Sequence, residues 1–401
     1  MPFAKLGLSP SITSALALLD YTKPTTIQKK AIPVILDGND LIAAAQTGTG
    51  KTAGYMLPIL EKLSYGQTQK KKRIRALVVV PTRELAIQVE EQTEKFSQNL
   101  PLTSLAMYGG VDSKVQKAKL IEGVDILIAT PGRLLDMYGQ HAVYFEEVEV
   151  LVLDEADRML DMGFIDDINK IFDRLPENIQ HLLFSATLSH RVRDLAKTVI
   201  IDPYEISIAA SQASKKNIAQ WLVTVDKDKK SALLSYLIKE NEWKQTLIFI
   251  ETKHGAAKLV DQLEKRGIKA EAFHSGRSQT VRAKLLEDFK SGAIQFLVAT
   301  GVAARGIDIE NLPRVLNYDL PFPADEYVHR IGRTGRAGAV GEAISFVSKD
   351  NFKNLCMIES RLGHLIERRI IEGFEPKKPV PVSILNYVPK HKRQNQNADN
   401  R

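Results

Sequence analysis

A chain of 401 residues is too long for one ordinary domain, since domains mostly run to roughly 100–200 residues, so two or three are expected. With 44% hydrophobic and 26% charged residues the composition is globular, not disordered, and no run approaches the roughly 20 apolar residues that span a bilayer. The single cysteine, Cys356, excludes an intrachain disulfide and points to a reducing compartment. The net charge of +7 is unevenly placed: residues 376–401 hold six Lys/Arg against Asp399, giving +5 and leaving +2 for the other 375 residues. Nucleic acid would therefore be bound by placed contacts in the core, while the tail either adds nonspecific phosphate attraction or only keeps the chain soluble.

The opening stretch MPFAKLGLSPSITSALALLD interrupts its apolar positions with Ser, Thr and Lys and has no strongly basic start. It reads as an amphipathic helix, not a secretory leader, and a cytoplasmic location follows. DLIAAA, RALVVV, VDILIA, VEVLVL and IQHLLF are apolar without alternation, the pattern of strands buried on both faces. RELAIQVEEQTEKF and PGRLLDMYGQ between them are amphipathic, so βαβ units and a parallel sheet are predicted. IAASQASKKNIAQ, 208–220, is small, polar and without a sustained period, a linker composition centred on 208–217. The plan then repeats, with strands in TLIFIE, IKAEAF, AIQFLVA, RVLNYD and EAISFVS and helices in HGAAKLVDQLEKRG and VRAKLLEDFKSG. The expected organisation is a first domain at 1–207, a second at 218–375, and a basic, polar, disordered tail at 376–401.

AAAQTGTGKT follows the first strand and opens a helix. Gly48 and Gly50 let the backbone wrap a phosphate, with N–H groups of Gln46, Thr47 and Thr49 nearby, although Ala45 holds the place where the generic pattern begins with Gly. Lys51 would supply charge to the β/γ-phosphates and Thr52 a hydroxyl for Mg²⁺. LVLDEADRML then sets Asp154, Glu155 and Asp157 after an apolar run. Alone, such a cluster is more often a helix N-terminal charge effect. Paired with GKT, Asp154 becomes a magnesium ligand and Glu155 the group that orients or deprotonates water. Asp157 is placed to hold a neighbouring domain by hydrogen bonding.

AQTGTGKT, PTREL, Gly109–Gly110, TPGR, DEAD, SAT, ARGID and HRIGRTGR, in this order, resemble a DEAD-box ATP-dependent RNA helicase over residues 3 to about 372, and DRMLDMGF is similar to the bacterial RhlE-type subgroup. The resemblance implies an α/β chain of two tandem RecA-like domains, each a mostly parallel sheet flanked by helices, that acts as a monomer on RNA with ATP and Mg²⁺. It implies that Gln28 reads adenine, with Tyr21 and Phe3 near the base, and that Asp308 contacts the ribose or the nucleotide's water shell. Ser185, Thr187 and His329 would couple the ATP site to domain closure. Gln279, Arg282 and Thr300 would contact RNA from the second domain.

HRIGRTGRAG carries Arg333 and Arg336, and if they point at the γ-phosphate they are arginine fingers, worth roughly 10³–10⁵ in turnover. The alternative is a solvated basic loop. PTREL and TPGR share a design in which Thr or Pro opens a helix and an Arg stands in its first turn: Pro81, Thr82 and Arg83, then Thr130, Pro131, Gly132 and Arg133. Free N–H groups at helix starts bind backbone phosphates without reading bases, and Gly109–Gly110 allows close approach. Each motif alone serves equally as a plain capping device. Three positions depart from the family: Gly301 where Thr-Asp is common, Gly276 one place late, and Asp20 where glycine usually precedes the aromatic. An ATP-gated RNA clamp that hardly unwinds, or a DNA helicase, remain the rival functions, and the tail is a candidate surface for protein or ribonucleoprotein partners.

Overall fold

The structure, a computed structural model, describes the chain except residues 1, 46–47, 66–72, 201, 209–217, 305–308, 310–311, 336–339 and 386–401. The expectations for Gln46, Thr47, Asp308 and Arg336, and for all of the linker but Ile208, lie outside the described residues. The apolar runs form parallel strands, as their uninterrupted hydrophobicity requires. β1 (Leu41–Ala44), β2 (Ala76–Val79), β3 (Ser104–Met107), β4 (Ile126–Ala129), β5 (Val150–Leu153), β6 (Gln180–Ser185) and β7 (Tyr204–Ser207) make one sheet, ordered β3-β4-β2-β5-β6-β1-β7. β8 (Ile218–Thr224), β9 (Thr246–Ile250), β10 (Glu271–Phe273), β11 (Phe296–Thr300), β12 (Arg314–Asn317), β13 (Gly341–Val347) and β14 (Glu367–Arg369) make a second, ordered β10-β11-β9-β12-β13-β8-β14. All pairings are parallel in the first sheet and in the second. The second order is the first with each strand number raised by seven. The chain accordingly divides into two compact units, one around each sheet.

In the first unit successive side chains on each strand enter opposite layers. Ala43, Val78, Ile128 and Val152 pack with residues of the helices Pro10–Leu18, Thr26–Leu36, Lys51–Ser64 and Arg83–Phe96. Ile42, Leu77, Leu127 and Leu151 pack with the helices Pro131–Gly139, Ala156–Asp161, Ile165–Phe172 and His190–Lys197. Burying each of these Val, Leu and Ile side chains stabilises by about 1.5–3 kcal/mol, which fixes the strands and hence the loops at their ends. The second unit repeats the arrangement, with the helices Lys230–Glu240 and Lys253–Glu264 in one layer and Ala324–Ile331 and Phe352–Leu362 in the other.

Ile218 to Gln220, inside the linker-like stretch, begin β8, because the central strand β13 offers them a full parallel ladder. The segment after Pro376 is not loose from its start. Lys377 N–H donates to Asp226 Oδ2 at 3.0 Å, Val380 packs on the apolar layer of the Ala324–Ile331 helix, and Ser383 is buried.

Candidate functional site

The carboxyl edge of the first sheet divides in two. β1, β6 and β5 are neighbours, and register pairs Ala44 with Ser185 and Leu153 with Leu183. The phosphate loop, the Ser185–Thr187 segment and Asp154–Glu155 therefore leave the sheet side by side, as ligand sites do in open parallel sheets. β2, β4 and β3 form the other half, where Val79 and Met107 both pair with Ala129. Pro81–Arg83, Thr130–Arg133 and Gly109–Gly110 follow those three ends.

In the phosphate loop Gly48 and Gly50 take left-handed φ of 77° and 88°. Any Cβ on Gly50 would fall on the Gln28 amide, 3.3 Å from its Cδ. Gln28 is buried, donates from Nε2 to the Gly50 carbonyl at 3.0 Å and accepts at Oε1 from Thr25 N–H at 2.8 Å. One N–H and one lone pair of the amide are thus committed to shaping the loop, and one of each remains for a base edge. Lys51, 6% exposed, opens the helix Lys51–Ser64, and its Nζ makes no hydrogen bond among the described residues. A buried ammonium without an acceptor is costly, and a phosphate oxygen is the acceptor this glycine-rich cradle fits.

Asp154 lies opposite. It is 3% exposed, and its Oδ2 accepts from Tyr55 Oη at 3.0 Å and its Oδ1 from Glu155 N–H at 2.8 Å. Burial pushes its carboxyl up, while the Lys51 charge pulls it down and Glu155 pushes it up again. The Tyr55 hydroxyl is raised by burial and by Asp154. A divalent cation beside Thr52 would relieve the same strain on Asp154 that burial creates. Glu155 occupies a left-handed φ of 54° at the start of the helix Ala156–Asp161, the kind of backbone strain that functional positions retain. Its Oε2 stands 3.3 Å from Arg158 Nη1 but accepts no hydrogen bond among the described residues, leaving a lone pair for water.

Asp157, expected to reach a neighbouring domain, accepts at Oδ2 from the Thr187 N–H and hydroxyl, both at 3.1 Å. Ser185 Oγ donates to the Thr187 carbonyl at 2.7 Å. These three form one cluster within the first unit. Tyr21 is 37% exposed, with its ring edge-on to Phe96 at 5.6 Å. Asp20 before it holds φ 59°, which explains why glycine suits that place. Phe3, at 4% exposure, packs its ring in the apolar layer.

On the other half-edge two arginines converge on Gly109–Gly110. Arg83 lies so close that a Cβ on Gly110, itself at φ 82°, would stand 2.5 Å from the guanidinium carbon. Arg133 braces the loop: Nη1 donates to Gln116 Oε1 at 2.7 Å and Nη2 to the Val111 carbonyl at 3.1 Å. Thr82 Oγ1 caps its helix by accepting from Leu85 N–H at 3.3 Å. Gly109 and Gly132 face open space, and the start of the Pro131–Gly139 helix follows Thr130 with Pro at its first turn.

In the second unit Gln279 opens the helix Gln279–Lys290 after β10, and Thr300 ends β11, the strand positions equivalent to β3 and β4. Arg282 turns inward, 5% exposed, with its guanidinium over the Phe273 ring at 5.0 Å. It supports the loop instead of facing solvent. His274 is held below its usual value by burial and then by Arg277, Lys253 and Arg282, so this edge is cationic. Gly276 N–H donates to His274 Nδ1 at 3.2 Å, which accommodates the displaced glycine. The sequence reading missed Thr252–Lys253. They follow β9, the equivalent of β2, and Thr252 accepts from Gly255 N–H at 3.0 Å as Thr82 does from Leu85. The signal was present, since TLIFIETK places Thr and a cation after a strand as VVVPTR does. Tyr55 and Arg158 were missed as well, and helical spacing from Thr52 and Glu155 (i, i+3) would have flagged both. His329 lies on the Ala324–Ile331 helix, and Arg333 on the turn beyond it, 5% exposed. No three His, Cys, Asp or Glu side chains group as a metal site among the described residues. No helix among the described residues is long and apolar enough to cross a membrane.

Residues 25–195 match the family model "DEAD/DEAH box helicase" and residues 228–338 the "Helicase conserved C-terminal domain". The chain is 40% identical over 381 residues to the ATP-dependent RNA helicase SrmB of Haemophilus influenzae, covering 94% of this chain and 87% of that one. It is 42% identical to the helicase CshA of Listeria monocytogenes, covering 89% and 68%. Among solved structures, yeast Dbp5 bound to RNA and ADP BeF3 superposes with a TM-score of 0.81 at 31% identity, over 94% of this chain and 95% of that one. Mss116p bound to ssRNA and AMP-PNP gives 0.80 at 30% identity, over 92% and 78%.

Proposed function

The chain belongs to the DEAD-box family of ATP-dependent RNA helicases, and on that premise we propose that it melts short RNA duplexes locally, by ATP-driven closure of its two units on the RNA backbone. The relatives' complexes with RNA and with ATP analogues support RNA and ATP as the ligands. The observation that carries the reading is Lys51: a buried ammonium without an acceptor among the described residues, in a glycine-rich loop and near a buried carboxylate that burial pushes up.

Thr52 and Asp154 would hold Mg²⁺, in part through water, and the ion would screen the triphosphate and polarise its terminal phosphoryl group. Lys51 and the backbone N–H groups of the loop bind and orient the phosphates. The second donor and acceptor of Gln28 select adenine. Glu155, fixed by its strained backbone and its Arg158 pairing, takes the proton of the attacking water or orients it. Arg333 and Arg336 stabilise the charge that develops on the phosphoryl group, which makes hydrolysis depend on closure. Ser185, Thr187, Asp157 and His329 relay that state. Pro81, Thr82, Gly109, Gly110, Thr130, Pro131, Gly132, Gln279 and Thr300 meet the RNA backbone, with Arg83, Arg133 and Arg282 holding those loops in shape. Backbone contacts make binding independent of sequence, and bending a strand costs only a few kcal/mol, enough to release a short partner strand. The protein acts as a cytoplasmic monomer, and the wording DRMLDMGF groups it with RhlE-type members.

RNA-stimulated ATPase on the wild type and on Glu155→Gln tests this. The variant should bind ATP and RNA but turn over about 10²–10⁴ times more slowly, the usual worth of a general base. Short-duplex unwinding with ATP, and not with a non-hydrolysable analogue, separates a helicase from an ATP-gated clamp. Equal stimulation by DNA of the same sequence would contradict the RNA assignment.

A further inference from the structure

Arg330 is 6% exposed on the helix Ala324–Ile331 and touches the ends of three strands at once. Its guanidinium lies over the Phe249 ring of β9 at 4.8 Å. Nη1 donates to the Asp319 carbonyl just past β12 at 2.9 Å and stands 3.4 Å from Asn317 Oδ1. The third end is that of β11. A Cβ added to Gly301, the residue after Thr300, would stand 2.9 Å from Arg330 Nη2 and 3.7 Å from Glu326 Oε1. Gly301 is not among the left-handed glycines, so what its missing side chain provides is space. The platform beneath is rigid. Asp319 accepts at Oδ1 from the buried Lys230 Nζ at 3.0 Å and at Oδ2 from Glu251 N–H at 3.1 Å.

A buried guanidinium needs a counter-charge. Where the family commonly sets an aspartate after the threonine, this chain has none. Glu326, four residues earlier on the same helix and 3.8 Å away, supplies the carboxylate instead. Among the described residues this carboxylate comes from the helix, and Gly301 contributes room.

We propose that Arg330 is a positioning residue of the helicase reaction, seated against Gly301, which links the turn after Thr300 to the helix bearing His329. Thr300 is the RNA-side neighbour of this contact. On the other side His329 is adjacent in sequence, and Arg333 N–H donates to the Arg330 carbonyl at 3.2 Å. A displacement of the turn on RNA binding moves the guanidinium and, through it, the helix and the turn that presents Arg333. The inference rests on the RNA and ATP roles proposed above for Thr300 and Arg333.

The test compares ATPase with and without a single-stranded RNA for the wild type, Gly301→Ala and Arg330→Lys, with thermal melting as the folding control. Gly301→Ala pushes the guanidinium off its seat, and Arg330→Lys keeps the charge but loses the planar fork. Gly301→Ala should retain the RNA-free rate and the KM for ATP while its RNA stimulation falls about tenfold, within the range for residues that carry coupling. Arg330→Lys should lose stimulation by a similar factor. Unchanged stimulation in both variants, or an equal fall in the RNA-free and RNA-stimulated rates of a folded Gly301→Ala protein, overturns the proposal. Absence of RNA stimulation in the wild type overturns the underlying functional reading itself.

Discussion

Asp154 shows how one buried carboxylate records what it is for. Its carboxyl is raised, chiefly by burial, so the folded state disfavours its ionised form. Stability from a raised acid is fully present below the unfolded value of about 3.9 and is lost as pH climbs through the folded value. At neutral pH the nucleotide-free protein therefore carries a cost that Asp154→Asn removes. The variant should melt at a higher temperature than wild type at pH 7 without nucleotide, with the gap closing toward pH 4, and ATP with Mg²⁺ should stabilise it less than wild type. Melting curves at several pH values, with and without the ligands, check both signs. The carboxylate after a strand was legible in the sequence. Spacing from Thr52 could place Tyr55 on the same helix face, but not identify it as the donor to Asp154, because that contact crosses 99 positions of chain.

At the scale of elements, the loop Gly109–Gly110 depends on two helix starts from different parts of the sequence. Gly110→Ala would hold a left-handed φ of 82° and drive a methyl group into Arg83. The left-handed conformation alone costs roughly 1–2 kcal/mol. The expected outcome is a comparable loss of stability in denaturant unfolding, with a raised KM for RNA in the ATPase assay and little change in KM for ATP. Here sequence pattern and structure part company. The pattern Thr or Pro then Arg at a helix start was visible, and so were the open glycines. That Arg133 would reach Gln116 and Val111, or that Arg282 would lie on Phe273, depends on tertiary distances that no local spacing encodes. Among strands, central ones such as ILIA and VLVL announce themselves by unbroken hydrophobicity. The edge strands Tyr204–Ser207 and Glu367–Arg369 do not, because one side faces solvent and their residues are largely polar.

For the molecule as a whole, charge placement separates shape-based grip from plain attraction. Residues 386–401 carry four Lys/Arg, 390, 392, 393 and 401, against Asp399. Each phosphate neutralised contributes about 0.7 to the slope of log affinity against log salt for a single strand. Deleting 386–401 should flatten that slope by roughly 2–3 while leaving the RNA-saturated turnover unchanged, measured by RNA titration at several salt concentrations. A slope that does not move would assign the tail to solubility. The two-domain plan and the ATP motifs could be read from sequence because each rests on local composition. The start of the tail could not, since Lys377 and Val380 are held by partners far from them along the chain.

The repeated strand order makes positions in the two units comparable, and the ends of β1 and β8 are one such pair. After β1 the first unit runs into glycines and Lys51; after β8 the second runs into Val225, Asp226 and a short turn of Lys227–Lys229. Asp226 there accepts from the Lys377 N–H, with Lys227 and Lys229 beside it. A glycine-rich cradle with a buried lysine follows β1 and, among the described residues, not β8, so one nucleotide bound per chain is the expected outcome of an equilibrium titration with a non-hydrolysable ATP analogue.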